Sequence, residues 1–483
     1  MVNREMRLRF APSPTGPIHV GNAHTMLFNW LWCRSQGAIF VLRFEDTDRE
    51  RSKREWEEVI ISEMQWMGLD WDEGPDIGGP FAPYYQTARM PLYQEYFETL
   101  KQRGAVYPCY CTPEELAEER QQADRHKIAY QYSRRCLALT PEERLVKEGE
   151  GRQPVWRLFV PSNEVVAYDD LIRARITFDT NTIGDPVIMR ANGIPLYNFA
   201  VVVDDITMGI TDVVRGEGHI SNTPVQVLIY RQLGVPLPRF AHCSHLLNAQ
   251  RGKISKRKGE MSVRSFRERG VLAEVLFNYL ALLGWTPKGE GREVLTREEI
   301  IREFSIFDVS RSAAIFDEVK LLSMNGISLR GKTRGAFAEL ALPFVVEAGL
   351  AKAEDLRNDW AWFVAITTLV QERVRLLDEV PPYIAFFFKD ELDYSERAVN
   401  KFLTPAMRPF LQQSTETMKT VEWSISSIEV TTRALIDELA LKPREALLAL
   451  RVAVSGGDVS PPLFESIYLL GRERTVARLA RWI

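Results

Sequence analysis

Residues 7–22 read RLRFAPSPTGPIHVGN, a segment with three prolines and two glycines between two stretches of regular hydrophobic pattern. Before the prolines, Leu8 and Phe10 alternate with two arginines, as in a short strand. After them, apolar residues at positions 23, 26, 27, 30 and 31 follow helical spacing, Gly37 ends that pattern, and AIFVLRF at residues 38–44 again suits a strand. This β-loop-α-β order predicts a parallel α/β sheet with the loop at the carboxyl end of a strand, where such sheets bind ligands.

A second block of the same kind lies farther along the chain. FAVVVDD at residues 199–205 predicts a buried strand ending at two aspartates, and residues 212–215 predict another strand. Thr223 and the proline after it predict the N-cap and first turn of a helix, and residues 52–55 predict a capping box in the first block. We expect the two blocks to form one nucleotide-binding sheet, with the residues between Tyr84 and Leu196 inserted.

Length and composition bound the class of protein. With 483 residues, 45% of them hydrophobic and 26% charged, the chain predicts a globular protein of three or more domains. No run of 18 uncharged apolar residues occurs, and five cysteines do not suit a disulfide framework, so we expect a cytoplasmic protein. The net charge of −4 means that any nucleic acid must be held by local basic patches.

The proline-rich loop predicts a phosphate site. It lacks the G-x-G-x-x-G pattern of dinucleotide-binding loops, but it brings Ser13, Thr15 and His19 to the start of a helix. Free backbone N–H groups and the helix dipole favour phosphate there. The alternative is a stiff turn with a capping histidine.

A basic segment, RGKISKRK at residues 251–258, gives this loop a partner. Alone it would be taken for a solvated basic loop. Together, HVGN at residues 19–22 and KISKR at 253–257 resemble the HIGH and KMSKS elements of class I aminoacyl-tRNA synthetases. RFAPSPTG at residues 9–16, FEDTD at 44–48, and LYNFA followed by VDD at 196–205 are similar to bacterial-type glutamyl-tRNA synthetases.

This resemblance covers the chain from Arg7 to its C-terminus and implies a fold. It implies a Rossmann-type parallel-sheet catalytic domain with an inserted acceptor-binding domain, followed by an all-α anticodon-binding half. The expected boundaries are 1–84 and 197–248 for the catalytic domain, 85–196 for the insert, 249–330 for the KMSKS loop and stem-contact domain, and 331–390 and 391–483 for the helical domains.

The resemblance also implies a reaction and its residues. Glutamate would be activated by ATP with Mg²⁺ and transferred to tRNA-Glu, with tRNA-Gln as a second acceptor left open. The catalytic residues would be His19, Lys253 and Lys256. The ATP-binding residues would be Ser13, Thr15, Gly16, His19, Gly21, Asn22, Lys253, Ser255 and Lys256.

The glutamate-binding residues implied are Arg9, Ala11, Ser13, Glu45, Tyr197 and Arg215. Glu45 would pair with the α-ammonium group, and the two arginines with the two carboxylates, because a guanidinium binds a carboxylate bidentately. We assign the γ-carboxylate to Arg215 with Tyr197 and the α-carboxylate to Arg9, while the reverse order stays open. A buried arginine would reject neutral glutamine because its charge would be left unpaired.

Cysteines in the insert predict either a zinc site or buried structural thiols. Cys109, Cys111 and Cys136 lie close in sequence, and two cysteines two apart on a strand face the same way. The set resembles a zinc site found in part of the family, with Tyr132 or His126 as the fourth ligand.

Helical patterns dominate after residue 331, and Arg373 and Arg375 are candidate anticodon contacts on a helix face. We expect a monomer with no membrane partner. The alternatives are a HIGH-type nucleotidyltransferase, a truncated tRNA-modifying paralogue, a glutaminyl enzyme, and a catalytically silent tRNA-binding paralogue. The insert and helical half oppose the first two, Arg215 the third, and the presence of all three catalytic residues the fourth.

Overall fold

The computed structural model describes residues 5–252, 254 and 261–483, which divide into two compact units. The first unit comprises the chain up to Phe266 together with Leu276–Asp317, and the second comprises Arg267–Val275 and Glu318–Ile483. Lys253, Ser255 and Lys256 of the predicted KMSKS element lie outside the described residues.

The regular elements are as follows. The strands are β1 (Arg7–Phe10), β2 (Ile39–Leu42), β3 (Val106–Cys109), β4 (Val155–Leu158), β5 (Val165–Asp170), β6 (Ala174–Asp179), β7 (Val187–Met189), β8 (Asp212–Gly216), β9 (Arg239–Cys243), β10 (Leu246–Leu247) and β11 (Ala314–Ile315). The helices that begin before residue 318 are α1 (Val20–Ser35), α2 (Arg54–Trp66), α3 (Met90–Gln102), α4 (Pro113–Arg125), α5 (Pro141–Gly149), α6 (Tyr197–Thr207), α7 (Thr223–Leu233), α8 (Val263–Glu268), α9 (Ala273–Ala281) and α10 (Arg297–Glu303). Those that follow are α11 (Glu318–Gly331), α12 (Arg334–Glu347), α13 (Ala353–Asn358), α14 (Trp360–Gln371), α15 (Val380–Ile384), α16 (Glu396–Phe402), α17 (Arg408–Thr420), α18 (Ile425–Glu438), α19 (Pro443–Ser455), α20 (Leu463–Leu470) and α21 (Arg472–Ala480).

A six-stranded sheet of order β2-β1-β8-β9-β5-β6 organises the first unit. Its neighbours pair in parallel except β5 and β6, which are antiparallel. The prediction that the two sequence blocks share one parallel sheet is therefore confirmed. The last two strands come from within residues 85–196, so part of the expected insert extends this sheet, while β3, β4 and β7 form a separate three-stranded antiparallel sheet.

The prediction of a strand at residues 199–205 is wrong, because these residues lie within helix α6. Every residue of this stretch is buried, from Phe199 to Asp205. A helix buried on all sides shows no polar face, and its run of valines then reads like a buried strand. The two aspartates consequently point inward from a helix.

Two predicted helix caps are also wrong. Helix α2 begins at Arg54 after Lys53, which makes no side-chain capping bond, so there is no capping box at residues 52–55. Helix α7 is preceded by Asn222, and Thr223 is its first residue. The Thr223 hydroxyl binds the His219 carbonyl and accepts a hydrogen bond from Arg215, which is why it does not serve as a cap.

The predicted core face of α1 is confirmed, because Ala23, Met26, Leu27, Trp30 and Leu31 are all buried. The second unit is helical in every regular element described, as expected for the C-terminal half. Among the residues described, none of the helices is long and apolar enough to cross a membrane.

Candidate active site

Strands β2, β1 and β8 are neighbours, so their carboxyl ends bring together residues that are distant in sequence. Arg9 lies on β1, Glu45 follows β2, and Arg215 lies on β8, while Tyr197 begins helix α6. Arg9 and Arg215 are both buried, at 4% and 6% exposed. The tertiary structure thus gathers the charged residues that the sequence assigns to glutamate binding.

Asp205 anchors two arginines of this cluster. Its carboxylate accepts a hydrogen bond from Arg9 Nε at 3.2 Å and from both Nη atoms of Arg43 at 3.0 Å. The neighbouring Asp204 binds a different arginine, because its Oδ1 accepts a hydrogen bond from Arg89 Nε at 2.7 Å. Local sequence signals give neither aspartate a role, because the run of valines before them is typical of a strand.

Glu45 faces these arginines, with Oε1 lying 3.8 Å from Arg43 Nη2. Burial raises the pKa of its carboxyl to about 7, although Arg43 and Arg9 oppose the shift. A carboxylate held near its neutral form in the free protein gains a partner when an ammonium group binds beside it. This behaviour suits the predicted role of Glu45 in binding an α-amino group.

Arg215 differs from Arg9 and Arg43 because its hydrogen-bond partners are neutral. Nε lies 3.1 Å from His242 Nε2, and Nη2 donates to Thr223 Oγ1 and Gln226 Oε1, each at 2.8 Å. Within the described residues, it makes no ion pair, and its buried Nη1 has no hydrogen-bond partner. Burial lowers the pKa of this guanidinium, which marks the cost of its uncompensated charge.

Tyr197 and His219 lie beside the same cluster of charged residues. The Tyr197 hydroxyl lies 3.0 Å from His219 Nδ1. Burial and the Glu45 carboxylate raise the pKa of Tyr197, while burial and the charge of Arg215 lower the pKa of His219 to about 3. The imidazole is therefore neutral at physiological pH, and the positive charge of the cluster is carried by arginine.

The nucleotide side of the site is built mainly from backbone groups. His19 is the N-cap of α1, and its Nδ1 accepts the Gly21 N–H at 3.2 Å, which places the ring proton on Nε2. Val20 N donates to Met261 O, and Val263 N donates to Ile18 O, both at 2.9 Å. The HIGH-like segment and the residue before it are therefore hydrogen-bonded to Met261 and Val263, which lie C-terminal to the predicted KMSKS element.

Glu63 joins these two segments through its side chain. It is 2% exposed on α2, and its two carboxylate oxygens accept the N–H groups of Ile18 at 2.7 Å and Arg264 at 3.0 Å. Glu63 is not among the residues predicted from the sequence, since a glutamate in an amphipathic helix usually faces solvent. Its position within a run of helical apolar residues is the only sequence signal for it.

The other predicted nucleotide residues lie along the loop between β1 and α1. Ser13 and Thr15 are exposed, Ala11 and Gly16 are half-buried, and Asn22 is exposed in the first turn of α1. The backbone N–H of Glu45 donates to the Pro12 carbonyl at 3.0 Å, which ties this loop to the end of β2.

The three cysteines of the insert form a compact cluster. The Sγ atoms of Cys109, Cys111 and Cys136 lie within 4.8 Å of one another, and the Tyr132 hydroxyl is 3.4 Å and 3.5 Å from the first two. Tetrahedral zinc with three sulfurs and one oxygen would need separations of about 3.6–3.8 Å. The donor set therefore fits zinc with Tyr132, whereas the exposed His126 at the end of α4 lies outside the group.

Two arginines surround this cluster. Arg135 Nε donates to Cys111 Sγ at 3.3 Å, and the Arg157 guanidinium lies 3.8 Å above the Tyr132 ring. Positive charges of this kind stabilise thiolates, which are the form of cysteine that binds metal.

Comparison with known proteins identifies the architecture. Residues 5–323 match the family model for class I tRNA synthetases (E and Q), catalytic domain, and residues 336–483 match an anticodon binding domain. A glutamate–tRNA ligase of Symbiobacterium thermophilum is 54% identical over 98% of this chain and 99% of its own length. The chain belongs to the glutamate–tRNA ligase family.

Other members of the glutamate–tRNA ligase family support this assignment. The protein from Moorella thermoacetica is 44% identical over 99% of both chains. The crystal structure of a glutamate tRNA ligase from Elizabethkingia meningosepticum in complex with its amino acid matches with a TM-score of 0.84 and 29% identity, covering 99% of each chain. The sequence-based identification and the predicted fold class are therefore confirmed.

Proposed function

We propose that this protein attaches glutamate to tRNA-Glu at the expense of ATP. The observation that carries the proposal is Arg215, a buried cation whose described partners are all neutral and whose Nη1 donor has no hydrogen-bond partner among the residues that the structure describes. A buried charge without a counter-charge costs several kcal/mol, and a substrate carboxylate would remove that cost. Family membership then identifies the substrate as glutamate.

The pocket matches the three charges of glutamate. Arg215 with Tyr197 would bind the γ-carboxylate, Arg9 the α-carboxylate, and Glu45 the α-ammonium group. Ala11 and Ser13, which follow β1, would line the same pocket. Glutamine would leave Arg215 with an unpaired charge, so the pocket selects by charge rather than by size.

The reaction needs no enzymic nucleophile. An α-carboxylate oxygen attacks the α-phosphorus of ATP, the bond to the β-phosphate breaks, and pyrophosphate leaves. A hydroxyl of the terminal adenosine ribose then attacks the activated carbonyl carbon, gives up its proton to solvent, and releases AMP. Positioning and electrostatic stabilisation supply the catalysis.

His19 Nε2 and the N-terminus of α1, with Gly21 and Asn22, would face the α-phosphate. Lys253 and Lys256, with Ser255, would neutralise the departing pyrophosphate, and Mg²⁺ would share the charge of the phosphates. Ser13, Thr15 and Gly16 would line the same loop.

Zinc would be held by Cys109, Cys111, Cys136 and Tyr132 as a structural ion. The donor distances and the two nearby arginines support this assignment. When bound, the ion would fix the fold of the acceptor-binding insert.

The tRNA would contact residues 85–196 through its acceptor end, residues 249–330 through its stem, and residues 331–390 and 391–483 through its anticodon. Arg373 and Arg375 remain candidates because both are exposed. They lie after the end of α14 rather than on a helix face, which corrects the sequence-based placement. Arg373 already donates to the Ser460 carbonyl at 3.2 Å, so its guanidinium is partly oriented.

The test is aminoacylation with labelled glutamate and ATP, using separate tRNA-Glu and tRNA-Gln transcripts and a pyrophosphate-exchange control without tRNA. We expect charging of tRNA-Glu. Charging of both transcripts would assign a non-discriminating enzyme. Charging of neither, with tight tRNA binding, would overturn the proposal in favour of a silent tRNA-binding paralogue.

A further inference from the structure

A chain of buried polar side chains crosses three neighbouring strands and ends on Arg215. Asp170 is the last residue of β5 and is 4% exposed, and His242 lies fully buried on β9. In the β8–β9 pairing, Arg215 stands directly opposite His242. Asp170 Oδ2 lies 2.6 Å from His242 Nδ1, and His242 Nε2 lies 3.1 Å from Arg215 Nε.

The hydrogens of this chain can be assigned from its donors and acceptors. Arg215 is always a donor, so His242 Nε2 must accept through its lone pair. Burial lowers the pKa of His242, so the ring is neutral and carries a single proton. That proton must lie on Nδ1, where the Asp170 carboxylate accepts it. Asp170 thereby selects the only tautomer that can hold Arg215.

The same arrangement decides which edge of the guanidinium is left for substrate. Nε is taken by His242, and Nη2 is taken by Thr223 and Gln226, which leaves Nη1 as the buried donor without a partner among the described residues. If Nε lost its acceptor, the guanidinium would be held only through the Nη2 bonds to Thr223 and Gln226, and it could pivot about Nη2 so that Nη1 would no longer be held in one direction.

We propose that Asp170 and His242 are positioning residues that orient Arg215 toward the substrate carboxylate. This inference rests on the proposed role of Arg215 in glutamate binding. It assigns part of the amino-acid selectivity to a residue of the segment expected to bind the tRNA acceptor end, since Asp170 belongs to residues 85–196.

Asp170→Asn tests the proposal without removing the side chain. Asp170 Oδ1 accepts the N–H groups of Ile172 and Arg173, at 3.0 Å and 2.8 Å, and the asparagine oxygen would keep both bonds. Its amide would then donate to His242 Nδ1, which forces the ring proton onto Nε2. Two donors would face each other between His242 and Arg215.

We expect Asp170→Asn to raise the KM for glutamate about 10-fold or more and to weaken discrimination against glutamine, with the KM for ATP within about twofold. Asp169→Asn is the matched control, because Asp169 is the adjacent residue on β5 and its side chain is 80% exposed. An unchanged KM for glutamate in Asp170→Asn, or equal rises in both KM values, would overturn the proposal.

Two substitutions of His242 separate hydrogen bonding from packing. His242→Gln presents an amide oxygen near the position of Nε2 and can still accept from Arg215, whereas His242→Leu fills the same buried space without an acceptor. We expect the KM for glutamate to be lower in His242→Gln than in His242→Leu. Equal or reversed effects would show that His242 only fills space, and these variants decide the question even if Asp170→Asn fails to fold in a thermal melt.

Arg215→Lys, measured in parallel, separates this inference from the proposed function. If the lysine variant binds and discriminates glutamate normally, the role of Arg215 itself is wrong. If it loses both properties while Asp170→Asn keeps them, Arg215 binds the substrate but Asp170 does not position it.

Discussion

Two parts of the candidate site are held in place by different interactions. We call them the amino-acid half (Arg9, Glu45, Tyr197 and Arg215) and the nucleotide half (residues 18–22 and the residues bonded to them). In the amino-acid half, buried side chains hold one another by charge, as where Asp205 binds Arg9 and Arg43. In the nucleotide half, backbone hydrogen bonds join residues 18–20 to residues 261–263, and Glu63 adds one side-chain bridge.

The difference follows from what each half must recognise. Telling glutamate from glutamine requires a fixed charge at one position, and only a buried and anchored side chain provides it. Phosphate can be bound by backbone N–H groups at a helix start, which any sequence supplies once the loop has the right shape. The comparison predicts that substitutions in each half change the affinity for a different substrate.

The largest expected effect comes from Arg215→Ala. Removing the arginine leaves the substrate carboxylate without its buried partner, at a cost of about 3–5 kcal/mol, or roughly 10²–10⁴-fold in kcat/KM for glutamate. The KM for ATP should stay nearly constant, and selectivity over glutamine should fall. Steady-state aminoacylation checks both, with Arg175→Ala on the surface of β6 as the control. An unaltered ratio of kcat/KM for the two amino acids would reassign the γ-carboxylate.

Glu63→Gln should affect the opposite half. One of the two carboxylate oxygens becomes an amide donor, so the N–H of either Ile18 or Arg264 faces another donor. A lost hydrogen bond to a charged group costs about 1.5–3 kcal/mol, so we expect the KM for ATP to rise roughly 10-fold or more while the KM for glutamate changes little.

The matched control for this substitution is Glu58→Gln on the same helix. Glu58 is 73% exposed and pairs only with Arg54 in the described structure, so its substitution should leave both KM values unchanged. A rise in the KM for glutamate equal to that for ATP in Glu63→Gln would show that the two halves are not held independently.

The pH dependence of glutamate binding should report on Glu45. Its pKa of about 7 means that the carboxyl gains a proton as the pH falls from 8 to 6, and only the ionised form attracts an ammonium group. We expect the KM for glutamate to rise roughly 10-fold over this range, while Glu45→Gln has a higher but flat KM.

The neighbours of Glu45 should not obscure this dependence. Despite burial, the carboxylates of Asp205 and Asp204 hold the pKa of Arg43 above its usual value, so Arg43 stays charged, and His219, with its pKa of about 3, stays neutral between pH 6 and 8. A flat profile in the unsubstituted protein, measured at saturating ATP, would contradict the assignment of Glu45 to the ammonium group.

A substitution in the cysteine cluster is expected to have the smallest effect on the binding of glutamate and ATP. Cys136→Ser should remove zinc measured by elemental analysis and lower the melting temperature, while the KM values for glutamate and ATP change less than about twofold. Cys33→Ser is the control, because burial raises the pKa of Cys33 to about 12 and keeps it a neutral thiol outside the cluster. Equal zinc content in both variants would contradict a metal site.

Much of this architecture could be predicted from local signals. Prolines and glycines around His19 predicted the loop between β1 and α1, and the spacing of apolar residues predicted the core face of α1. The cysteines at positions 109, 111 and 136 predicted a cluster that the structure confirms as a geometric group. These signals depend on residues close in sequence, where the backbone geometry of a strand or helix alone determines which side chains share a face.

Helix α6 shows where such signals fail. Phe199 to Asp205 are buried around its whole circumference, so the run of five apolar residues from 199 to 203 has no polar residue to mark a helical period, and its identity depends on the elements that bury it. The predicted cap of α7 failed for a related reason, because the Thr223 side chain bonds Arg215 and the His219 carbonyl instead of capping its own helix.

By itself, the sequence determined the family, the order of strands and helices around the loop, and the residue types that could meet glutamate. Only the tertiary structure decided which of these side chains lie together and which hydrogen bonds and ion pairs fix their positions. Asp170, Glu63 and Asp205 act on residues from about 45 to about 200 positions away, through hydrogen bonds whose strength depends on burial. No local pattern encodes such bonds, because burial is a property of the packed protein and not of any short segment.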